Sequence, residues 1–201
     1  MPDPAPRSLT RLEAACGVLG PAAFVGAWLL GGALRAPAYS PVADAISRLA
    51  QEGTSTVPLM TAGFVVFGVL VPVYARGLGR VLGSPATRAA ATLSGLATLA
   101  VAALPLSAAG GQRVDALHAV AAGTGYLGQV LAPLLGGLAL RGRARAASLS
   151  VSGVAALCLV ASLAAPGVTG LFQRTGLTVV DAWFVVLAVR LARPGSPAGR
   201  R

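Results

Sequence analysis

Six apolar stretches, each long enough to cross a bilayer, follow one another along this chain, and twelve of its sixteen basic residues fall in alternate gaps between them or in the tails. A hydrocarbon core of roughly 30 Å takes about 20 apolar residues per helix. Stretches near residues 13–34, 57–76, 86–106, 115–139, 147–165 and 174–193 therefore use nearly the whole chain. Lipid offers the backbone no water to bond to, which leaves helices as the structure for spans of this length. The expected fold is all-α, an integral membrane protein of six transmembrane helices in one antiparallel bundle. It forms a single domain, 1–201, with tails at 1–11 and 194–201.

Composition supports lipid as the solvent. The chain is 55% hydrophobic and 11% charged, against about 25% charged residues in soluble domains. All sixteen basic residues are arginines and the formal net charge is +10, a balance that in a soluble protein would suggest nucleic acid. Location gives another explanation. If basic gaps are cytoplasmic, then Arg7 and Arg11, Arg76, Arg80 and Arg88, Arg141, Arg143 and Arg145, and Arg190, Arg193, Arg200 and Arg201 lie inside. That reading puts both termini in the cytoplasm and the protein in the cell membrane. The charge is then a topology signal, no nucleic acid is expected, and membrane lipids are the expected partners. A basic rim attracts anionic headgroups by about 1 kcal/mol per residue. Cys16 and Cys158 stand in apolar stretches without a CxxC or Cys/His cluster, so no disulfide, metal or cofactor is expected.

Four arginines break the pattern. Arg35, Arg48, Arg113 and Arg174 fall on the opposite side, together with Asp44, Glu52, Asp115 and Asp181. The longest connection there, residues 37–53, reads as a short amphipathic helix, with Ser40 as N-cap, Pro41 at the first position and Gly53 as a left-handed stop. Val42, Ile46 and Leu49 would share one face, and Asp44, Arg48 and Glu52 another.

The pattern of Pro37, Tyr39, Ser40, Pro41, Asp44, Ile46, Ser47 and Leu49 after a first span resembles bacterial domain-of-unknown-function family 998. The resemblance implies a six-helix integral membrane fold and assigns no activity. A remoter similarity, in the Ile-Ser element and the helix count, is to eukaryotic six-span proteins that include lipid-remodelling factors for glycolipid anchors.

Three features invite chemistry. In GGQRVDALH, Asp115 and His118 are three residues apart on one helical face, a spacing that lets a carboxylate orient an imidazole or lets both hold a metal. Asp181 lies about six residues into the last apolar run, roughly 9 Å deep at 1.5 Å per residue. A carboxylate at such a depth needs a partner, and Arg174, Arg113 or Arg48 could provide an ion pair. Arginine forks also suit phosphate and carboxylate.

The leading expectation is thus a site at Asp44, Arg48, Arg113, Asp115, His118, Arg174 and Asp181 for an anionic headgroup or small polar ligand. A purely structural ion-pair clasp is its rival. Two alternatives stand beside it. One is an intramembrane hydrolase or transferase on a lipid-linked substrate, with His118, Asp115 and Asp44 as catalytic candidates. The other is a small proton-coupled carrier using Asp181. No phosphate loop, GxSxG elbow, HExxH or second histidine is present. Interior prolines Pro72 and Pro133 predict local helix adjustment. Recurrent glycines predict close helix packing, with a homo-oligomer contact as the alternative.

Overall fold

The computed structural model describes residues 8–193. The expected tails fall largely outside these, as do Arg7, Arg200 and Arg201. Six long helices form, α1 (Arg11–Leu34), α2 (Val57–Leu82), α3 (Pro85–Ala103), α4 (Arg113–Ala139), α5 (Gly142–Ala164) and α6 (Thr169–Leu191), with a short 3-10 helix, Ile46–Ala50, between α1 and α2. No strand occurs among the described residues. Each of the six is long and apolar enough to cross a membrane.

Local chemistry sets the helix ends. Thr10 and Glu13 form a reciprocal cap at the start of α1: the Thr10 hydroxyl accepts the Glu13 N–H at 3.2 Å and the Glu13 carboxylate accepts the Thr10 N–H at 2.8 Å. Ser84 caps α3, with Pro85 at its first position. Between these, α2 stops at Gly83, whose φ of 63° is the left-handed conformation that glycine adopts without strain. The last helix starts earlier than hydropathy suggests, at Thr169 rather than near residue 174, after a turn at Gly167 (φ 91°). Asp181 therefore lies about 18 Å along α6, near its middle, at 1.5 Å per residue.

Helices adjacent in sequence pack against one another, and α1 against α6 closes the ring. The first and last described turns meet where the Leu9 N–H donates to the Leu191 carbonyl at 3.0 Å. Beside them Arg80 pairs with Glu13 at 2.6 Å, the one salt bridge among the described residues. Further in, aromatic groups fill the bundle. The fully buried Tyr74 donates to the Phe184 carbonyl at 3.1 Å, and Trp183 Nε1 donates to Ser148 Oγ at 2.8 Å. Both of these polar tips have a partner, the usual arrangement for buried Tyr and Trp. On the periphery, α5 buries only the small side chains of Ser148, Ser152, Ala155 and Cys158, and exposes Leu157 and Leu163.

Small residues let neighbouring backbones touch. A Cβ on Gly128 of α4 would stand 2.8 Å from the Ser94 nitrogen and 2.9 Å from the Ala90 carbonyl oxygen of α3. Pro72 lies inside α2 with its ring against Gly95, where a Cβ would fall 2.5 Å from the proline Cδ. Gly123 faces open space. Gly128→Val should therefore lower stability by about 1–3 kcal/mol through overpacking, while Gly123→Val leaves it nearly unchanged. Thermal unfolding in one detergent tests the contrast, and equal effects would remove close packing as the reason for Gly128.

Candidate functional site

The first loop departs from its expected helix for a reason found in its partners. Ser40 does cap a turn: its hydroxyl accepts the Ala43 N–H at 3.2 Å, and the Asp44 carboxylate returns to accept the Ser40 N–H at 2.8 Å. The turn then stops at Ala45 (φ −60°, ψ 150°) and only Ile46–Ala50 coils again. Groups that a continuous helix would use internally are engaged elsewhere. Arg174 Nη1 donates to the Pro41 carbonyl at 2.7 Å and the Asp44 carbonyl at 2.9 Å. The Val42 carbonyl accepts the Leu171 N–H at 2.9 Å, and Gln173 Oε1 accepts the Ile46 N–H at 2.8 Å. Ile46 and Leu49 are buried as expected, whereas Val42 is 46% exposed, because the break removes it from their face. Gly53 takes its positive φ of 81°.

Arg174 organises this clasp. It is 7% exposed and meets no carboxylate. Besides the two carbonyls it donates through Nη2 to the Tyr39 hydroxyl. Its guanidinium lies 5.4 Å from the ring centroids of both Trp28 and Tyr39, where ring faces attract a cation. Burial pushes the Tyr39 phenol above its ordinary pKa, against the lowering pull of Arg174, so it stays neutral at physiological pH. Gly170 makes the close approach possible, since a Cβ there would collide with the Asp44 and Pro41 carbonyls.

The remaining candidates do not converge on one point. Asp115 spends its carboxylate on the Ser107 N–H (2.7 Å), the Ser107 hydroxyl (2.8 Å) and the Gln112 N–H (3.0 Å). His118, 3% exposed, places Nδ1 2.6 Å from the Leu104 carbonyl. The Asp115–His118 hydrogen bond that their spacing permits is not formed, and each residue instead pins the α3–α4 connection. That connection is joined to the first loop by Gln51 Nε2 donating to the Ser107 carbonyl and the Glu52 N–H donating to the Leu106 carbonyl, both at 2.9 Å. Arg48 is exposed and donates to Gln51 Oε1 at 3.3 Å, while Arg113 is exposed. No group of three or more His, Cys, Asp or Glu suited to a metal occurs among the described residues.

The ion pair anticipated for Asp181 is also absent. Both carboxylate oxygens are buried without a hydrogen-bond partner, and no salt bridge joins Asp181 to Arg174, Arg113 or Arg48. Distance explains this. Seven residues of α6 separate Asp181 from Arg174, about 10 Å along the axis, and Arg174 is engaged with the loop.

Beneath the loop lies a cavity of about 50 Å³, which the sequence did not reveal. Ile46 and Ser47 line it together with side chains from α1, α2, α3, α4 and α6. Phe24, Phe64, Phe67 and Tyr126 form much of its wall, and Thr98, Gln129 and Gln173 are its other polar members. The Tyr126 hydroxyl and Gln129 Oε1 are buried with no hydrogen-bond partner. Gly176 makes room for Tyr126, because a Cβ there would occupy the hydroxyl's position. A glutamine amid the apolar run of α4 was the available signal, since a polar side chain within a span normally faces protein or a cavity.

These features define a multi-pass helical membrane protein with a largely apolar cavity roofed by its first loop. The chain belongs to the family described as Protein of unknown function (DUF998), whose profile matches residues 18–190. The match covers most of the six-helix bundle, and the family is the one that the first-loop pattern resembles. No curated protein and no solved structure matches the chain.

Arg174→Gln should release the loop. Loss of hydrogen bonds from a charged donor is expected to cost about 1.5–3 kcal/mol. Maleimide labelling of an Ile46→Cys reporter should accelerate in the Arg174→Gln background. An unchanged labelling rate would show that Arg174 does not hold the roof.

Proposed function

We propose that this protein binds a lipid headgroup or a small polar ligand in the cavity beneath its first loop, at the non-cytoplasmic end of the bundle. The orientation follows from the arginines: Arg11, Arg76, Arg80, Arg88, Arg141, Arg143, Arg145, Arg190 and Arg193 lie towards the end where α1 begins and α6 finishes, and basic ends face the cytoplasm. The observation that carries the binding reading is the cavity lining, in which Ser47, Thr98, Tyr126, Gln129 and Gln173 interrupt a wall of aromatic and aliphatic side chains. Polar side chains within spans normally face protein or a cavity.

The seven residues expected to bind then take different parts. Arg174 and Asp44 hold the roof, Asp115 and His118 brace the adjoining connection, and Asp181 lies deeper than the cavity. Arg48 and Arg113 remain at the exposed rim, where they suit an approaching anionic headgroup. The hydrolase or transferase reading has no comparable support, because the Asp115 carboxylate is engaged by Ser107 and Gln112.

Gln129→Leu separates binding from folding. Replacing an unsatisfied amide with an apolar side chain of similar size should leave stability unchanged or raise it by up to about 1 kcal/mol, yet abolish retention of ligand. Native mass spectrometry of protein extracted from its membrane is the measurement, with Arg113→Ala as the rim variant. A bare wild-type spectrum that stays bare after incubation with total membrane lipid and cytosolic extract would defeat the proposal.

A further inference from the structure

We infer that the ligand enters this cavity as an uncharged hydroxyl group on an alkyl chain, the hydroxyl held between amide donors and the Thr98 oxygen; the inference rests on the cavity being a binding site. The wall first excludes charge. Among the described residues no Asp, Glu, His or Arg lines the cavity. Arg174, next to Gln173, has its terminal nitrogens engaged by the Pro41 and Asp44 carbonyls and the Tyr39 hydroxyl. Arg48 and Arg113 stay at the exposed rim, outside this wall. An ion carried inside would lose its water and meet no opposite charge, a cost that buried charges offset only by pairing.

The polar members then select among neutral groups. Gln173 Oε1 accepts the Ile46 N–H at 2.8 Å, which fixes the orientation of the amide and leaves its nitrogen a donor without a bonded acceptor. In Gln129 the amide oxygen is sealed inside the protein, so the nitrogen is the end left to the cavity. Thr98 is the complement: its hydroxyl gives its hydrogen to the Ser94 carbonyl at 2.9 Å and can only accept from a ligand. The Ser47 hydroxyl can serve either way. A carbonyl or an ether would suit the amides and leave Thr98 unmet. A hydroxyl accepts from an amide N–H and donates to Thr98 at once.

Size and the rest of the wall agree with this. A volume of about 50 Å³ has room for roughly three or four water-sized groups, at about 10–15 Å³ each. A hydroxyl is the smallest neutral group that both donates and accepts. Phe24, Phe64, Phe67, Val101 and Leu177 give the remaining wall a carbon surface. Phe24 lies 5.9 Å from Phe64 and 5.4 Å from Phe67 between ring centroids, so three rings converge on one side. The groups next to the hydroxyl are therefore methylenes, and the rest of the molecule extends past Ser47 and Gln173, which are partly exposed where the loop meets α6.

A hydroxyl-headed lipid and a free alcohol share this chemistry. The test is photolabelling in phosphatidylcholine nanodiscs, whose lipid carries no hydroxyl, with labelled residues located by mass spectrometry. The probes are a diazirine-bearing octanol, its isomeric heptyl methyl ether, and the matching octylammonium and octanoate. Octanol should label cavity residues saturably, at concentrations lower than the ether by about three- to tenfold, the scale of one neutral hydrogen bond. The two ions should not saturate. Thr98→Val should bring octanol to the ether value and leave the ether unchanged, and Thr98→Ala serves if Thr98→Val does not fold. Gln129→Leu should weaken octanol and ether alike, since both accept from the amide.

Saturation by octylammonium or octanoate at octanol concentrations, equal labelling by octanol and ether, or octanol labelling indifferent to loss of the Thr98 hydroxyl overturns the hydroxyl assignment and leaves the cavity a ligand site. Failure of every probe to label cavity residues saturably overturns the binding reading as well. Competition identifies the source. Displacement of the octanol probe by mono-oleoylglycerol in the disc marks a hydroxyl-headed lipid, and displacement by glycerol in the buffer marks a free alcohol. Displacement by neither overturns the hydroxyl assignment.

Discussion

Arg174 donates to the Pro41 and Asp44 carbonyls and to the Tyr39 hydroxyl, and through these bonds a connection with few apolar anchors stays folded over the mouth of a six-helix bundle. A buried guanidinium must have its donors satisfied and its charge balanced. Here neutral carbonyl dipoles serve Nη1, the Tyr39 hydroxyl serves Nη2, and the faces of Trp28 and Tyr39 attend the charge in place of a carboxylate, while Nε is left without a partner. The loop conformation follows from that choice. Its carbonyls are drawn outward to α6, the incipient helix after Ser40 ends at Ala45, and Ile46 and Ser47 come down over the cavity.

The same clasp couples the ends of several helices. The first loop is bonded to α6 through Leu171, Gln173 and Arg174, and to the α3–α4 connection through Gln51 and Glu52. Asp115 and His118 then hold that connection to α4. The cavity wall draws on α1, α2, α3, α4 and α6, and its roof on the loop that these bonds hold in place. Buried polar atoms without a partner occur at several levels of the bundle, among them Arg174 Nε in the clasp, His118 Nε2, Tyr126 Oη and Gln129 Oε1 on α4, and both Asp181 oxygens on α6.

Much of the architecture was legible in the chain. Six apolar runs and their spacing are enough for a helical bundle, because the backbone has no other way to satisfy itself in lipid. Ser40 as a cap, the left-handed conformation of Gly53, and burial of Ile46 and Leu49 could be anticipated from local chemistry, although the coil ends at Ala50, before Gly53. The candidate site was legible only as a set of residues. Pairing arginines with acids by proximity in sequence led towards ion pairs, whereas Arg174 bonds to carbonyls, which every residue possesses and no sequence pattern distinguishes. Gln129, Tyr126 and Gly176 escaped notice because a cavity arises from what several helices leave unfilled.

The sequence by itself determined that this chain forms six helices long and apolar enough to span a membrane, roughly where each of them lies, and which end of the bundle gathers most of its basic residues. Hydropathy and capping act over a few turns and can be read locally. Only the tertiary structure decided that Arg174 serves as a clasp, that Asp115 and His118 brace a connection, and that Asp181 is unpartnered near the middle of α6. Those outcomes depend on which carbonyl or ring lies within a few ångströms of a side chain from a distant part of the chain, and that is settled by packing.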